Sequence, residues 1–408
     1  MSKFLYFIKR HNAIKDFIKL IIAYVYYPIV VFYWLITKID TKYPKGLWLV
    51  GELGVDAKDN GFYFFKYLNK NHPEISSYYY IDYDQPISSV VKKVGKTVSF
   101  NGRDHKKAFI NSKYIISTQD MYSIPFGRIN WKEFKKAYPW LVRHKKYVFL
   151  QHGVIKDDSS ENLNYKRTLF DYFVVTTKDE FNEINSDKYG YPKGNVIMTG
   201  LPRYDNLYIH RNDPTKKEIL FMPTWRQYLA DVTEKQFMVS EYFQTINDLL
   251  NDQKLIDLLD RNNLNLAFFP PHQEIQKFLH LFYSKSDKIR FIDVEEESVS
   301  QLILNSKVMI TDYSSVAFDF AFLKKPIVYF QFDEKTYRKG HYKEGYFSYL
   351  NDGFGPVVYT KKALICAIED ICDDKFKVKN EYLNRINNTF NLRDNLNSSR
   401  LFNILNRG

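Results

Sequence analysis

The stretch Val308-Met309-Ile310-Thr311-Asp312-Tyr313-Ser314-Ser315-Val316-Ala317-Phe318-Asp319-Phe320 changes its period in the middle. An apolar, β-rich run ends at Asp312, two hydroxyl residues follow, and an apolar pattern at helical spacing begins at once. This reads as a strand feeding a helix. Such a turn presents backbone N–H groups at the positive end of a helix, where serine hydroxyls add further donors for a phosphate. The same residues also serve as a plain cap, with Asp312 or Ser314 satisfying the first turn. Asp319 interrupts the apolar pattern and either orients a hydroxyl of a ligand or satisfies a buried backbone group. The neighbouring sequence decides between these readings.

Outward from this turn, short β-rich runs alternate with amphipathic stretches. Runs at 219–222, 264–269, 289–292 and 326–330 surround it, and an earlier set lies at 47–52, 78–81, 114–118, 147–150, 172–176 and 196–200. Asp59-Asn60-Gly61 opens a helical run through Leu68, and another helix is expected near Val90. Strands alternating with helices imply α/β architecture with parallel sheets. The polar segment from Ile209 to Lys217, which contains Pro214, separates the sets as a linker. The expected organisation is a separate segment over 1–44 and two Rossmann-like domains, 45–210 and 211–408, facing a central cleft, the second ending in the C-terminal helices. In such sheets ligands gather beyond the carboxyl ends of the strands.

The 408 residues are enough for two domains, and an apolar fraction of 45% fits globular cores. Only 16 glycines and 14 prolines are present, which argues against long low-complexity linkers. A net charge of +12 favours a polyanionic partner: nucleic acid, anionic lipid or a phosphorylated substrate. Cys366 and Cys372 have no metal-ligand spacing and imply a reduced, intracellular setting.

Lys3, Lys9, Arg10, Lys15 and Lys19 precede an uncharged run from Leu20 to Thr37. As one helix it would span roughly 27 Å, the lower limit for crossing a bilayer core. Tyr24, Tyr26, Tyr27, Tyr33 and Trp34 favour an interface, and Pro28 kinks the run. A membrane-associated helix, interfacial or re-entrant, is the expectation; a true span and a buried core helix are the alternatives.

Several candidate residues fall where strands end. Gln151-His152-Gly153 follows one strand, making His152 a candidate general base beside a glycine that permits close approach. Pro270-Pro271-His272 follows another, with the prolines stiffening the backbone that carries an imidazole suited to donating to a phosphate or leaving group. Pro223-Thr224-Trp225-Arg226 offers a guanidinium fork for phosphate and a tryptophan to pack a base or shield an ion pair. In Thr199-Gly200-Leu201-Pro202-Arg203-Tyr204-Asp205, Arg203 and Asp205 are placed to pair with each other. The basic, aromatic stretch from Lys132 to Lys146 reads as a surface for anionic lipid or a polyanionic acceptor, or as a solvated loop. No P-loop, zinc motif or serine-hydrolase elbow occurs, so no metal or cofactor is called for.

Taken in order, Asp59-Asn60-Gly61, Gln151-His152-Gly153, Thr199 to Asp205, Met222 to Arg226, Pro271-His272 and Thr311 to Asp319 resemble the CDP-glycerol glycerophosphotransferase family of teichoic-acid and capsule synthesis. The resemblance covers residues from about 45 to 350. It implies a GT-B fold, with an acceptor domain followed by a CDP-donor domain. The implied donor is CDP-glycerol or CDP-ribitol, and the acceptor an undecaprenyl-linked glycan or polyol-phosphate polymer at the cytoplasmic face of the membrane, with no nucleic acid. A sugar-nucleotide glycosyltransferase of the same architecture is a further alternative. His152 and His272 would be catalytic, His152 as base on the acceptor hydroxyl. Arg226, Thr224, Ser314, Ser315, Asp312, Arg203 and Asp319 would bind substrate, His272, Arg226 and the serines at the donor's pyrophosphate. Two departures mark this chain: Val154-Ile155 follows His-Gly where the family commonly has Thr-Pro, and the segment from Lys339 to Tyr346 is expanded.

Overall fold

The computed structural model describes residues 12–340 and 343–407. Lys3, Lys9 and Arg10 of the basic flank, and His341 and Tyr342 of the expanded segment, lie outside the described residues. The chain forms two compact units, Met1–His152 with Ser160–Asp205 and Asp394–Gly408, and Gly153–Ser159 with Asn206–Arg393.

The first unit is built on β1 (Leu47–Gly51), β2 (Ser77–Ile81), β3 (Thr97–Ser99), β4 (Ser112–Ser117), β5 (Lys146–Phe149), β6 (Tyr172–Val175) and β7 (Val196–Met198). They pair in the order β3-β2-β1-β4-β5-β6-β7, parallel throughout, with Leu49 between Tyr78 and Ile115. A parallel sheet covered on both faces needs strands that are apolar at every position, and each residue of β1 and β2 is buried. Tyrosines in such a strand must pair their hydroxyls. Tyr80 donates to the Glu52 carbonyl at 2.9 Å and lies 2.8 Å from the Ser117 hydroxyl.

The uncharged N-terminal run forms two helices, Asn12–Val25 and Tyr27–Ile36, with a bend of 47° between them. Pro28 lies in the first turn of the second helix, where its missing N–H costs nothing, so the proline starts a helix. Ala23 and Val30 are fully buried and Tyr27 stacks on Tyr138, while Phe17, Val25 and Phe32 are exposed. Among the described residues no single helix is long and apolar enough to cross a membrane.

The second unit holds β8 (Glu218–Met222), β9 (Asn265–Phe268), β10 (Ile289–Phe291), β11 (Val308–Thr311), β12 (Ile327–Phe330) and β13 (Val357–Val358). Their order, β10-β9-β8-β11-β12-β13, repeats that of the first sheet, again all parallel. Its core is rich in phenylalanine, including Phe221, Phe237, Phe268 and Phe278.

Two expectations about boundaries are corrected. The final helix, Asn397–Arg407, belongs to the first unit, although it was expected to close the second domain. Asp205 accepts from the backbone N–H groups of Asn397 and Ser398 at 2.8 Å each, so its carboxylate satisfies the helix start. Leu401, Phe402 and Leu405 are buried, Tyr114 donates to the Leu405 carbonyl at 2.6 Å, and Phe402 packs on Trp48. The division between units falls after Asp205, within the helix Arg203–Ile209, so the polar segment 209–217 is part of the second unit.

Both units repeat one bracket. Lys145, just before β5, donates to the carbonyls of Phe109, Ile110 and Ser112. Lys325, just before β12, donates to those of Ile303, Leu304 and Ser306. Each ammonium thereby satisfies carbonyls left over where a helix ends.

Candidate active site

In the first sheet, β1 lies beside β4, the point where successive crossovers leave a crevice at the carboxyl ends of the strands. The turn after β1 is filled by the chain itself. The buried Glu52 carboxylate accepts from the N–H groups of Lys58, Asp59 and Phe62 at 3.0, 3.1 and 2.8 Å. Desolvation, then Asp59 and Asp56, raises its pKa. An internal carboxylate thus occupies the helix start where dinucleotide-binding turns receive pyrophosphate. Gly61 permits the tight entry, since a Cβ there would meet the Gly51 carbonyl oxygen at 2.6 Å.

His152 stands three residues beyond β5 and is exposed. A web of hydrogen bonds fixes the backbone around it. Gln151 takes a left-handed φ of 49°, and its amide donates to the Val174 carbonyl at 2.8 Å and to Glu180 at 3.0 Å. Asn60 donates to the Gln151 carbonyl at 2.9 Å and accepts from the Arg203 N–H at 3.1 Å. The Arg203 guanidinium donates to Asp59 at 2.7 Å and to the His152 carbonyl at 2.9 Å. The ring itself is held loosely, with the Gln119 amide 3.4 Å from Nδ1. Desolvation lowers the imidazole pKa, Asp59 opposes this and Arg203 adds to it. At neutral pH the ring is therefore uncharged, the form a general base needs.

In the second sheet, β8 lies beside β11, and the groups beyond these strands mostly bind one another. Arg226 donates to both oxygens of Asp333 at 2.7 and 2.9 Å, to Asp312 at 2.8 Å and to the Thr224 carbonyl at 2.6 Å. It is 1% exposed, with Tyr242, Tyr313 and Tyr337 around it. Asp312 accepts from the N–H and hydroxyl of Thr224 at 2.8 and 2.6 Å and from the Tyr313 N–H at 2.6 Å. Arg226, Thr224 and Asp312 were expected to face the donor. The donors of Arg226 and Thr224 and the accepting carboxylate of Asp312 are instead committed to a brace that ties together the ends of β8, β11 and β12.

His272 caps the helix Gln273–Gln276 and stacks on Trp225, the ring centroids 4.3 Å apart and 9° from parallel. Its Nδ1 accepts from the Glu274 N–H at 3.2 Å, so the neutral ring carries its proton on Nε2. Desolvation lowers its pKa, opposed by Glu274, which keeps it a neutral donor.

The opening turn combines both of its readings. Ser314 accepts from the Val316 N–H at 3.2 Å, as a cap does, whereas Ser315, at the helix boundary, makes no cap bond with its side chain. A Cβ at Gly153 would meet the Ser315 hydroxyl at 2.7 Å, so the glycine admits that serine. Asp319 is buried within the helix Val316–Phe322, at 2% exposure.

The structure thus gathers His152, Arg203 and Asp59 in the first unit, and Arg226, Thr224 and Asp312 with the Trp225–His272 stack in the second. Sequence reasoning missed Asp333 and Gln119. Both follow apolar strand runs, the same signal that marked Asp312. It also passed over Lys156, which is buried, pairs with Asp157 and has its pKa lowered by desolvation; Asp157 pairs in turn with Arg338 at 3.3 Å. Among the described residues no group of three His, Cys, Asp or Glu side chains is placed to hold a metal ion.

Residues 35–407 match the family described as CDP-Glycerol:Poly(glycerophosphate) glycerophosphotransferase. The minor teichoic acid biosynthesis protein GgaB of Bacillus subtilis is 32% identical over 372 residues, which is 88% of this chain and 40% of GgaB. The teichoic acid poly(ribitol-phosphate) polymerase of Bacillus spizizenii is 26% identical over 213 residues, 48% of this chain and 32% of that protein. The chain therefore spans well under half the length of either relative. The solved structure of the wall teichoic acid polymerase TagF shares the fold, with a TM-score of 0.66 and 20% identity, covering 97% of this chain and 98% of that one. With a match running through nearly the whole of both sheets, the chain belongs to the CDP-Glycerol:Poly(glycerophosphate) glycerophosphotransferase family.

Proposed function

We propose that the chain transfers glycerol phosphate from CDP-glycerol to a hydroxyl of a growing polyol-phosphate polymer or a lipid-linked glycan, releasing CMP. The acceptor oxygen attacks the phosphorus that carries glycerol, its proton passes to His152, and the bond to the CMP oxygen breaks. His272 donates through Nε2 to the pyrophosphate, and Ser314 and Ser315 add hydroxyl donors. Arg226, Thr224, Asp312 and Arg203 serve by holding these groups in place. Such a transfer asks the protein mainly for positioning and charge stabilisation.

The observation that carries this reading is the difference between the two histidines. His152 is an accessible, neutral imidazole on a braced backbone, whereas His272 is locked as a donor by the Glu274 N–H. Each has the protonation state its role requires. His152→Ala should keep CDP-glycerol affinity, measured by calorimetry, and lose about 10²- to 10⁴-fold in CMP release. Normal turnover would remove the base. Mass analysis of products from CDP-glycerol and CDP-ribitol, each offered with lipid-linked acceptors, tests the donor; ribitol phosphate is the second reading, favoured by the ribitol-phosphate polymerase relative.

The same reading puts the reaction at the cytoplasmic face of a membrane, with the chain bound peripherally. The support is the number of exposed apolar side chains on the two N-terminal helices: Phe17, Ile21, Tyr24, Val25, Phe32 and Leu35, with Ile39 just beyond at 87% exposure. So much apolar surface on two adjacent helices is what an interfacial element presents to acyl chains.

A further inference from the structure

A second feature of the first unit is used by none of this chemistry. At the amino-terminal edge of the sheet, opposite the end of β5 that leads to His152, lies a cavity of about 590 Å³. Gly46, Lys113 and Lys146, which line it, stand just before β1 or in the first residues of β4 and β5. Because the strands are parallel, these starts share one edge.

The cavity is lined by Lys38, Lys45, Lys113, Arg143, His144 and Lys146 and, among the described residues, by no carboxylate. Their internal compensation is slight. Lys38 sits 3.7 Å over the Trp34 ring, and Lys146 reaches Asp171 only at 3.9 Å, where Lys135 already pairs at 3.1 Å. The buried Lys145, also in the lining, spends its hydrogen bonds on three carbonyls. The wall at Gly46 is open, with nothing within 4 Å of where a Cβ would stand. Cations gathered in a concavity without counter-charge focus a positive field and draw an anion.

The rim says which anion. Trp34 and Trp140 meet edge to face at 5.3 Å in the lining, and Trp140 is 40% exposed. Leu35 and Ile39, 50% and 87% exposed, flank Lys38. Tryptophan beside exposed aliphatics and lysine is the composition of a protein–lipid interface. Inorganic phosphate or a soluble polyol-phosphate polymer would use the cations and leave that rim in water. An anionic lipid uses both.

We propose that this cavity binds the phosphodiester of an anionic glycerophospholipid headgroup. The lipid's acyl chains lie along the exposed side of Tyr27–Ile36. The inference rests on the membrane part of the function proposed above and sharpens it, because headgroup charge, and not apolar surface alone, then selects where the protein binds.

The test is co-sedimentation of the full chain with phosphatidylcholine vesicles, with and without phosphatidylglycerol at a fixed fraction. The double variant Lys45→Glu, Arg143→Glu reverses two exposed cavity charges. Lys235→Glu, Lys285→Glu makes the same change of net charge on exposed residues of the second unit. The cavity variant should lose the affinity gained from phosphatidylglycerol by about tenfold or more, while the control keeps most of it. Short-chain phosphatidylglycerol should compete, and inorganic phosphate should not. Equal losses in both variants would reduce the effect to net charge and overturn the proposal, as would an unchanged cavity variant. Equal competition by soluble poly(glycerol phosphate) would reassign the cavity to polymer. Wild type that binds both vesicle types equally sinks the cavity alone; wild type that binds neither sinks the membrane reading with it.

Discussion

The two units share a strand order but dispose of their strand-end residues in opposite ways. In the first, Asn60 and Arg203 hold the carbonyls of Gln151 and His152, Asp59 holds Arg203, and the ring is left exposed. In the second, Arg226, Asp312 and Asp333 bind one another at 0 to 3% side-chain exposure, while the Trp225–His272 stack and the serine turn remain partly open. One topology therefore holds two kinds of site. A base must gain and lose a proton, so it needs an accessible ring and a firm backbone. A donor surface needs a fixed shape, and a buried charge cluster fixes shape well because breaking it is costly.

The largest test of that contrast is Arg226→Met. It leaves two buried carboxylates facing each other without their cation, and removal of one partner from such a cluster costs about 3–5 kcal/mol. Chemical denaturation should show a loss of that order. Arg226→Lys should restore little, because an ammonium cannot reproduce the bidentate fork on Asp333. Arg203→Gln in the first unit should cost far less stability, since Asp59 is 26% exposed and the pair is partly solvated. If both arginines cost the same, the units are braced alike and the comparison fails.

Next in size are the lysine brackets. Lys145→Met and Lys325→Met each strand three carbonyls, with an expected loss of about 1–3 kcal/mol per variant. The loss should be greater for Lys145, which is buried, than for the half-buried Lys325. Burial draws the Lys145 pKa down to about 7 and that of Lys325 to about 8, from 10.5. Between each folded value and 10.5 the unfolded chain holds the additional proton, so stability rises with pH across that window. Each methionine variant should lose its share of that rise, and the gap from wild type should widen from pH 7 toward 10.5. A gap independent of pH would mean that the ammonium is as well solvated folded as unfolded.

Much of this architecture is written locally. Every strand except β3 and β13 is marked by an apolar run, because a strand buried on both faces has to be apolar along its length. Of the two that are not marked, β3 is Thr97-Val98-Ser99 with a single apolar residue and β13 has only two residues, so neither makes an apolar run. His152 and His272 are legible because each follows such a run beside a glycine or a pair of prolines. The role of Arg226 is not legible, since its counter-ion Asp333 lies 107 residues away and local sequence cannot tell an arginine facing ligand from one facing a buried carboxylate. The last helix is misassigned for the same reason. Its amphipathic pattern predicts a buried face but not which sheet covers it, and its capping partner Asp205 is 192 residues distant.

The smallest expected effect isolates how the first unit tunes its base. Asp59 raises the His152 pKa and Arg203 lowers it, both acting against a background of desolvation that lowers it. As a general base, His152 works in its neutral form, so kcat/KM should fall on the acid side as the ring protonates. Arg203→Gln removes a lowering influence, and the acid limb should move to higher pH. Asp59→Asn removes a raising influence, and the limb should move to lower pH. Arg203→Lys keeps the charge while losing the fork that reaches the His152 carbonyl, so its limb should stay near wild type even where turnover drops. Opposite movements of the first two, with the third unmoved, require that these charges act on the titration of His152 and not merely on its position. A common shift of all three would mean that the hydrogen bond to the carbonyl sets the pKa, and the first unit would then tune its histidine by geometry, as the second does through the Glu274 N–H.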